Sequence, residues 1–107
     1  MKFKEGDVVI APYTWKDDEG KIKFKFRPAV VYQIESDTEH LMIKCTHVNR
    51  SSKFPGKWVL SESEEGKVMG LDVDTFIHYS ETLIIDEKYC KLIGHCPYLN
   101  EIIDYHE

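Results

Sequence analysis

Short apolar or alternating runs follow one another along most of the chain, separated by turn signals at intervals of roughly 8–12 residues. This pattern predicts many short β-strands and is typical of a small closed or half-closed barrel. Residues 97–106 differ, because apolar side chains recur there at helical spacing after a proline that suits the first turn of a helix. We therefore predict a mainly β fold with a short C-terminal helix. We expect one domain over residues 1–107.

The predicted strands are separated by prolines, glycines and charged turns. They cover residues 8–13, 21–26, 28–34, 40–46, 58–60, part of 71–79, 83–85 and 91–93. Because proline lacks the N–H that a sheet ladder uses, we expect Pro12 to end the first strand and Pro28 to begin the third. Residues 61–66 are predicted to be an acidic, exposed segment, and residues 49–57 a loop.

Residues 21–27 alternate strictly between cations and large apolar side chains. The cations are Lys21, Lys23, Lys25 and Arg27, and the apolar residues are Ile22, Phe24 and Phe26. In an extended chain this spacing places all four cations on one face. Because the stripe ends at an arginine held by a proline, it is a candidate anion site. A half-solvated edge strand has the same alternation, with lysines that discourage edge pairing, so the motif alone leaves both interpretations open.

A second group of cations and aromatic residues lies in and around the loop 49–57. Its members are His47, Arg50, Lys53, Phe54, Lys57 and Trp58. Positive charge interleaved with aromatic rings suits the binding of single-stranded nucleic acid. An ordinary solvated loop explains the same composition equally well.

The charge of the chain is unevenly distributed. The net charge is −5, yet residues 16–57 carry nine Lys/Arg against six Asp/Glu, and residues 58–107 carry three against eleven. A locally positive site can bind phosphate despite a negative total. The sequence contains no signal-peptide pattern and no apolar run of the roughly 18 residues that a membrane helix needs. We expect a cytoplasmic protein that does not bind membranes.

The three cysteines, Cys45, Cys90 and Cys96, are an odd number and indicate reduced thiols rather than a disulfide framework. Cys45 lies near His47, and His95 precedes Cys96, but no pair has the Cys-x-x-Cys spacing of a typical zinc site. We therefore expect no metal and no cofactor.

Several motifs together resemble the MazF/PemK family of toxins from bacterial toxin–antitoxin pairs. They are Gly6-Asp7-Val8-Val9, Arg27-Pro28-Ala29-Val30-Val31, a strand ending in Thr46, Gly70-Leu71 before a strand at 75–78, and Leu92-Ile93-Gly94. In this order they span roughly residues 5–96. The resemblance implies an SH3-like β-barrel, a homodimer, and an endoribonuclease that cleaves single-stranded RNA without metal. It also implies a partner antitoxin whose disordered, often acidic tail covers the RNA groove.

The resemblance further implies that Arg27 and Thr46 are the catalytic pair. Cleavage without metal requires the 2′-hydroxyl to attack the adjacent phosphorus, so negative charge grows on the phosphoryl oxygens. Arg27 could hold those oxygens with two parallel N–H donors. Thr46 could donate one further hydrogen bond, although a role in capping the strand end explains its position equally well. His47 could act as base or acid, but as the neighbour of Thr46 it should point to the other face.

A non-catalytic function is the alternative. SH3-like barrels bind peptides and proteins, and the related CcdB-type toxins act by binding a protein target. Trp15, Phe54, Trp58 and the tyrosines could line such a binding groove. Convergence of Arg27 and Thr46 on one cationic pocket would favour cleavage.

Overall fold

A six-stranded antiparallel sheet forms most of the computed structural model, which describes residues 2–107. The strands are β1 (Asp7–Lys16), β2 (Ile22–Ile34), β3 (Glu39–Thr46), β4 (Gly56–Val59), β5 (Thr75–Asp86) and β6 (Lys91–His95), and the helices are α1 (Glu64–Met69) and α2 (Leu99–His106). The strand order is β4-β5-β3-β2-β1-β6, and the sheet curls into a half-barrel. The mainly β prediction and the short C-terminal helix are confirmed. Neither helix in this part of the chain has the length and apolar character that crossing a membrane requires.

The central strands are apolar at consecutive positions because both of their faces are covered. Along β2, for example, Val30 packs on one side of the sheet and Val31 on the other. The helix-side core comprises Val8, Val30, Ile43, Cys45, Val59, Met69, Leu71, Ile77, Tyr79, Cys96 and Ile102. The N-terminal core comprises Phe3, Val9, Ala11, Ala29, Val31, Met42, Ile85 and Cys90.

Both proline predictions were wrong, because β1 continues through Pro12 and β2 continues through Pro28. The register of the β1–β2 ladder pairs Ile10 with Pro28 and Pro12 with Phe26. The Tyr13 hydroxyl bridges the Pro28 carbonyl to the Cys45 N–H of β3, so this carbonyl points toward β3 and away from β1. The two proline pairs therefore exchange no backbone hydrogen bonds between β1 and β2. A missing N–H therefore costs nothing between β1 and β2.

The acidic segment 61–66 contains the start of helix α1, a helix that was not predicted from the sequence. Ser63 caps the N-terminus of the helix, and its hydroxyl accepts the N–H of Gly66 at 3.0 Å. Gly70 ends it in a left-handed conformation with φ of 74°. Gly66 is buried, so the prediction that the whole segment is exposed was wrong.

The predicted strands within 71–79 and at 83–85 form one continuous strand, β5. Its pairing with β3 shifts register, because Thr82 faces Ile43 while Ile77 faces Cys45. Four residues of β5, residues 78–81, therefore lie opposite the single residue Lys44 of β3. This bulge brings residues of β5 to the end of β3, where the candidate site is found.

Candidate active site

The candidate site opens where strands β2 and β3 separate. Their pairing ends at Ala29 and Lys44, and a continued register would place Pro28 opposite Cys45. The hydroxyl of Tyr13 lies between these two residues instead. It donates to the carbonyl of Pro28 and accepts the N–H of Cys45 at 2.9 Å. Beyond this point the strands separate, and the next positions, Arg27 and Thr46, border an opening.

The opening is a cavity of about 380 Å³. Its lining residues are Tyr13, Arg27, Lys44, Cys45, Thr46, Arg50, Phe54, His78 and Glu81. Arg27 and Thr46 thus share one cavity with two further cations, Lys44 and Arg50. Among residues 2–107, no ion pair involves Arg27, Lys44 or Arg50. The positive charge of these three side chains is therefore available to a bound anion.

Four of the predicted site residues line this cavity: Arg27, Thr46, Arg50 and Phe54. The other predicted RNA-binding residues do not: Lys21, Lys23, Lys25, His47, Lys53, Lys57 and Trp58. Lys21 and Lys23 form ion pairs with carboxylates of their own hairpin turn, at 3.6 Å from Glu19 and 4.0 Å from Asp17. Lys57 lies 3.5 Å from the Glu101 carboxylate.

His47 lines a separate cavity together with Pro28 and Thr75. Its partial burial lowers the pKa of the imidazole, and the positive charges of Arg27 and Lys25 lower it further. His47 therefore carries less positive charge at neutral pH than an unperturbed histidine would.

Five further residues line the cavity that were not among the predicted catalytic or RNA-binding residues: Tyr13, Lys44, Cys45, His78 and Glu81. Only Lys44 could have been predicted from its spacing, because it lies two positions before Thr46 on the same strand and therefore shares its face. The position of His78 depends on the bulge in β5. Its buried ring lies against Phe54 with centroids 4.9 Å apart and planes tilted by 40°, and its Nδ1 lies 3.3 Å from the Ser80 hydroxyl.

Two buried groups of the cavity are held in their protonated forms. Burial raises the pKa of Tyr13 well above its usual value, so the hydroxyl stays able to donate its hydrogen bond. Burial likewise raises the pKa of the Cys45 thiol, with a smaller contribution from Cys96. Because the thiolate is the reactive form of cysteine, Cys45 is a poor nucleophile.

Within the described residues, no group of three or more His, Cys, Asp or Glu side chains is placed to hold a metal ion. No protein-family model matches the chain, and no curated protein matches it either. The resemblance to the MazF/PemK toxins therefore rests on the sequence motifs alone.

Proposed function

We propose that the protein is an endoribonuclease that cleaves single-stranded RNA by attack of a 2′-hydroxyl, without a metal ion. One observation carries this proposal. A single cavity is lined by three cations that have no ion-pair partner among residues 2–107, and by an imidazole, a carboxylate and an exposed aromatic ring. These are the groups needed to bind a phosphodiester, to move two protons and to stack on a base.

The cations stabilise the phosphoryl group as its charge grows. The guanidinium of Arg27 presents parallel N–H donors that match two phosphate oxygens. Lys44 and Arg50 approach the same cavity, and the Thr46 hydroxyl can donate one more hydrogen bond. Donors aimed at developing negative charge are usually the largest single contribution to such a reaction.

His78 and Glu81 are the acid–base groups of the proposal. An ionised carboxylate only accepts hydrogen bonds, so Glu81 takes the proton of the 2′-hydroxyl as the bond from the 2′-oxygen to phosphorus forms. The bond from phosphorus to the 5′-oxygen then breaks, and His78 gives that oxygen a proton. The products are a 2′,3′-cyclic phosphate and a free 5′-hydroxyl.

Phe54 supports a preference for single strands. Phe54 is 41% exposed, and the tilted ring of His78 lies beside it with centroids 4.9 Å apart. A base can stack on the Phe54 ring only when it is not paired and stacked within an RNA duplex. Duplex RNA is therefore a poorer substrate in this proposal.

The resemblance to the MazF/PemK toxins supports three further parts of the proposal: an SH3-like barrel, a homodimer and an antitoxin partner. A dimer would cover some of the large apolar side chains that the single chain exposes, such as Ile22 and Ile84. Light scattering at micromolar concentration should give the mass of a dimer. Purification from the native host should bring along a small acidic protein, released by salt.

The decisive experiment incubates the purified protein with a fluorescent RNA oligonucleotide in EDTA. We expect cleavage of the single strand, slower cleavage of its duplex, and no cleavage of the same oligonucleotide carrying 2′-deoxyribose. Mass spectrometry should find the cyclic phosphate. Intact RNA, loss of cleavage on chelation, or cleavage of the deoxy substrate would each contradict the proposal.

Binding of a protein without cleavage is a second candidate function, favoured by a separate apolar cavity. This cavity of about 470 Å³ is lined by Pro12, Thr14, Phe24, Phe26, Ile84, Ile85, Asp86 and Tyr89. Phe24 and Phe26 meet edge to face at 5.4 Å and are 60% and 54% exposed. If the purified protein leaves RNA intact, the protein-binding function predicts that Phe24→Ser abolishes toxicity in cells. Arg27→Ala should leave that toxicity unchanged.

A further inference from the structure

The hydroxyl of Tyr13 occupies the position where the β2–β3 ladder would otherwise close. In a regular antiparallel pair the Cα atoms of facing residues lie about 4.5–5.5 Å apart. A continued register would bring Arg27 directly opposite Thr46 at that spacing. The inserted hydroxyl prevents this, because it takes up both the Pro28 carbonyl and the Cys45 N–H.

We infer that Tyr13 is a positioning residue whose hydroxyl acts as a spacer between β2 and β3, holding Arg27 and Thr46 at a separation that admits a phosphate. The inference rests on the proposed function. Hydrogen-bond satisfaction alone does not require the tyrosine, because the Cys45 N–H and the Pro28 carbonyl could bond directly if the strands closed. The hydroxyl therefore determines the width of the cavity.

The ring of Tyr13 makes a second contribution. The ammonium group of Lys44 lies 5.7 Å from the ring centroid, close enough for a cation–π contact. The spacer therefore also orients a cation of the cavity. Because Tyr13→Phe keeps the ring and removes only the hydroxyl, it separates these two contributions.

The test compares the wild type, Tyr13→Phe, and the double variant Tyr13→Phe/Pro28→Ala, in which residue 28 regains an N–H that can pair with β3. Misplacement of a reacting group by about 1 Å can cost about 100-fold, so we expect Tyr13→Phe to lose about 100-fold in kcat with little change in KM. The double variant should regain thermal stability through a direct ladder, yet remain as slow. Tyr32→Phe is the matched control, since Tyr32 packs near His106 outside the cavity, and it should cleave like the wild type.

Three results would overturn the inference. Tyr13→Phe with wild-type kcat would remove the spacer role. Recovery of both stability and cleavage in the double variant would reduce Tyr13 to a stabilising residue. Rapid hydrogen exchange at the Cys45 amide of the unmodified protein would show that the buried bond to Tyr13 is absent, whether or not the variants fold.

Failure of the proposed function gives a different result, namely a wild type that leaves RNA intact. In that case the crystal structure of Tyr13→Phe still tests the spacer. Closure of the strands to a direct Arg27–Thr46 pair supports it, and an unchanged separation overturns it.

Discussion

Replacement of Arg27 by alanine is the sharpest test of the proposed chemistry. Arg27 is half-buried at the edge of the cavity and, among residues 2–107, takes part in no ion pair, so its guanidinium is free to bind the phosphate. Loss of one donor to a developing oxyanion costs about 3–4 kcal/mol. We therefore expect the single-turnover rate of RNA cleavage in EDTA to fall by roughly two to three orders of magnitude. Arg27→Lys should not restore the rate, because a point charge cannot reproduce two parallel hydrogen bonds.

Two other cations serve as graded controls for this experiment. Arg50 reaches the cavity from an exposed loop position, so Arg50→Ala should lose less than Arg27→Ala. Lys53 lies in the same loop but does not line the cavity, so Lys53→Ala should keep the wild-type rate. An unchanged rate in folded Arg27→Ala, or an equal loss in Lys53→Ala, would refute the assignment of the catalytic charge to Arg27.

Three further measurements test the electrostatics and the fold. In Arg27→Ala, the pKa of His47 followed by NMR should rise, because the positive charge of Arg27 that lowers it is gone. An unchanged titration would contradict the proximity of Arg27 to His47. Gly70→Ala should lower the free energy of unfolding by more than about 1 kcal/mol, because φ is positive there and an added Cβ meets the Ile93 carbonyl, whereas equal stability in urea would contradict this. Burial raises the pKa of both Cys90 and Cys96 to about 11 from 9.0, so the unfolded chain releases these protons first and the free energy of unfolding should fall between pH 9 and about 11. The fall should be on the order of 2 kcal/mol for Cys96 and smaller for Cys90, which is less deeply buried. Urea melts that do not shift over this range would argue against thiol burial.

The strands were predictable because burial on two faces leaves a continuous apolar signal, as in residues 29–32. The prolines were misjudged for a physical reason. A missing N–H matters only on the side where a neighbouring strand needs it, and that side follows from the register, which the sequence does not display. Helix α1 was missed because its six residues are too few to show a helical period.

The candidate site was predictable only in part. The position of Arg27 followed from the alternation of the basic stripe, and that of Thr46 from the resemblance to a family. His78 and Glu81 reach the cavity because the register shifts between β3 and β5. That shift depends on the pairing of strands far apart in the chain, so the local sequence does not reveal it. Tyr13 is fifteen residues from the Pro28 carbonyl that it contacts, and no local pattern marks that contact.

The ion pairs within the β1–β2 turn set how RNA binding should respond to salt. Lys21 and Lys23 already have carboxylates as neighbours, so they release few counterions when a phosphate arrives. Three cations of the cavity remain to do so: Arg27, Lys44 and Arg50. For single strands the slope of log K against log salt is about −0.7 for each neutralised phosphate, which gives a slope of about −2. A tenfold rise in salt would then weaken binding by about two orders of magnitude.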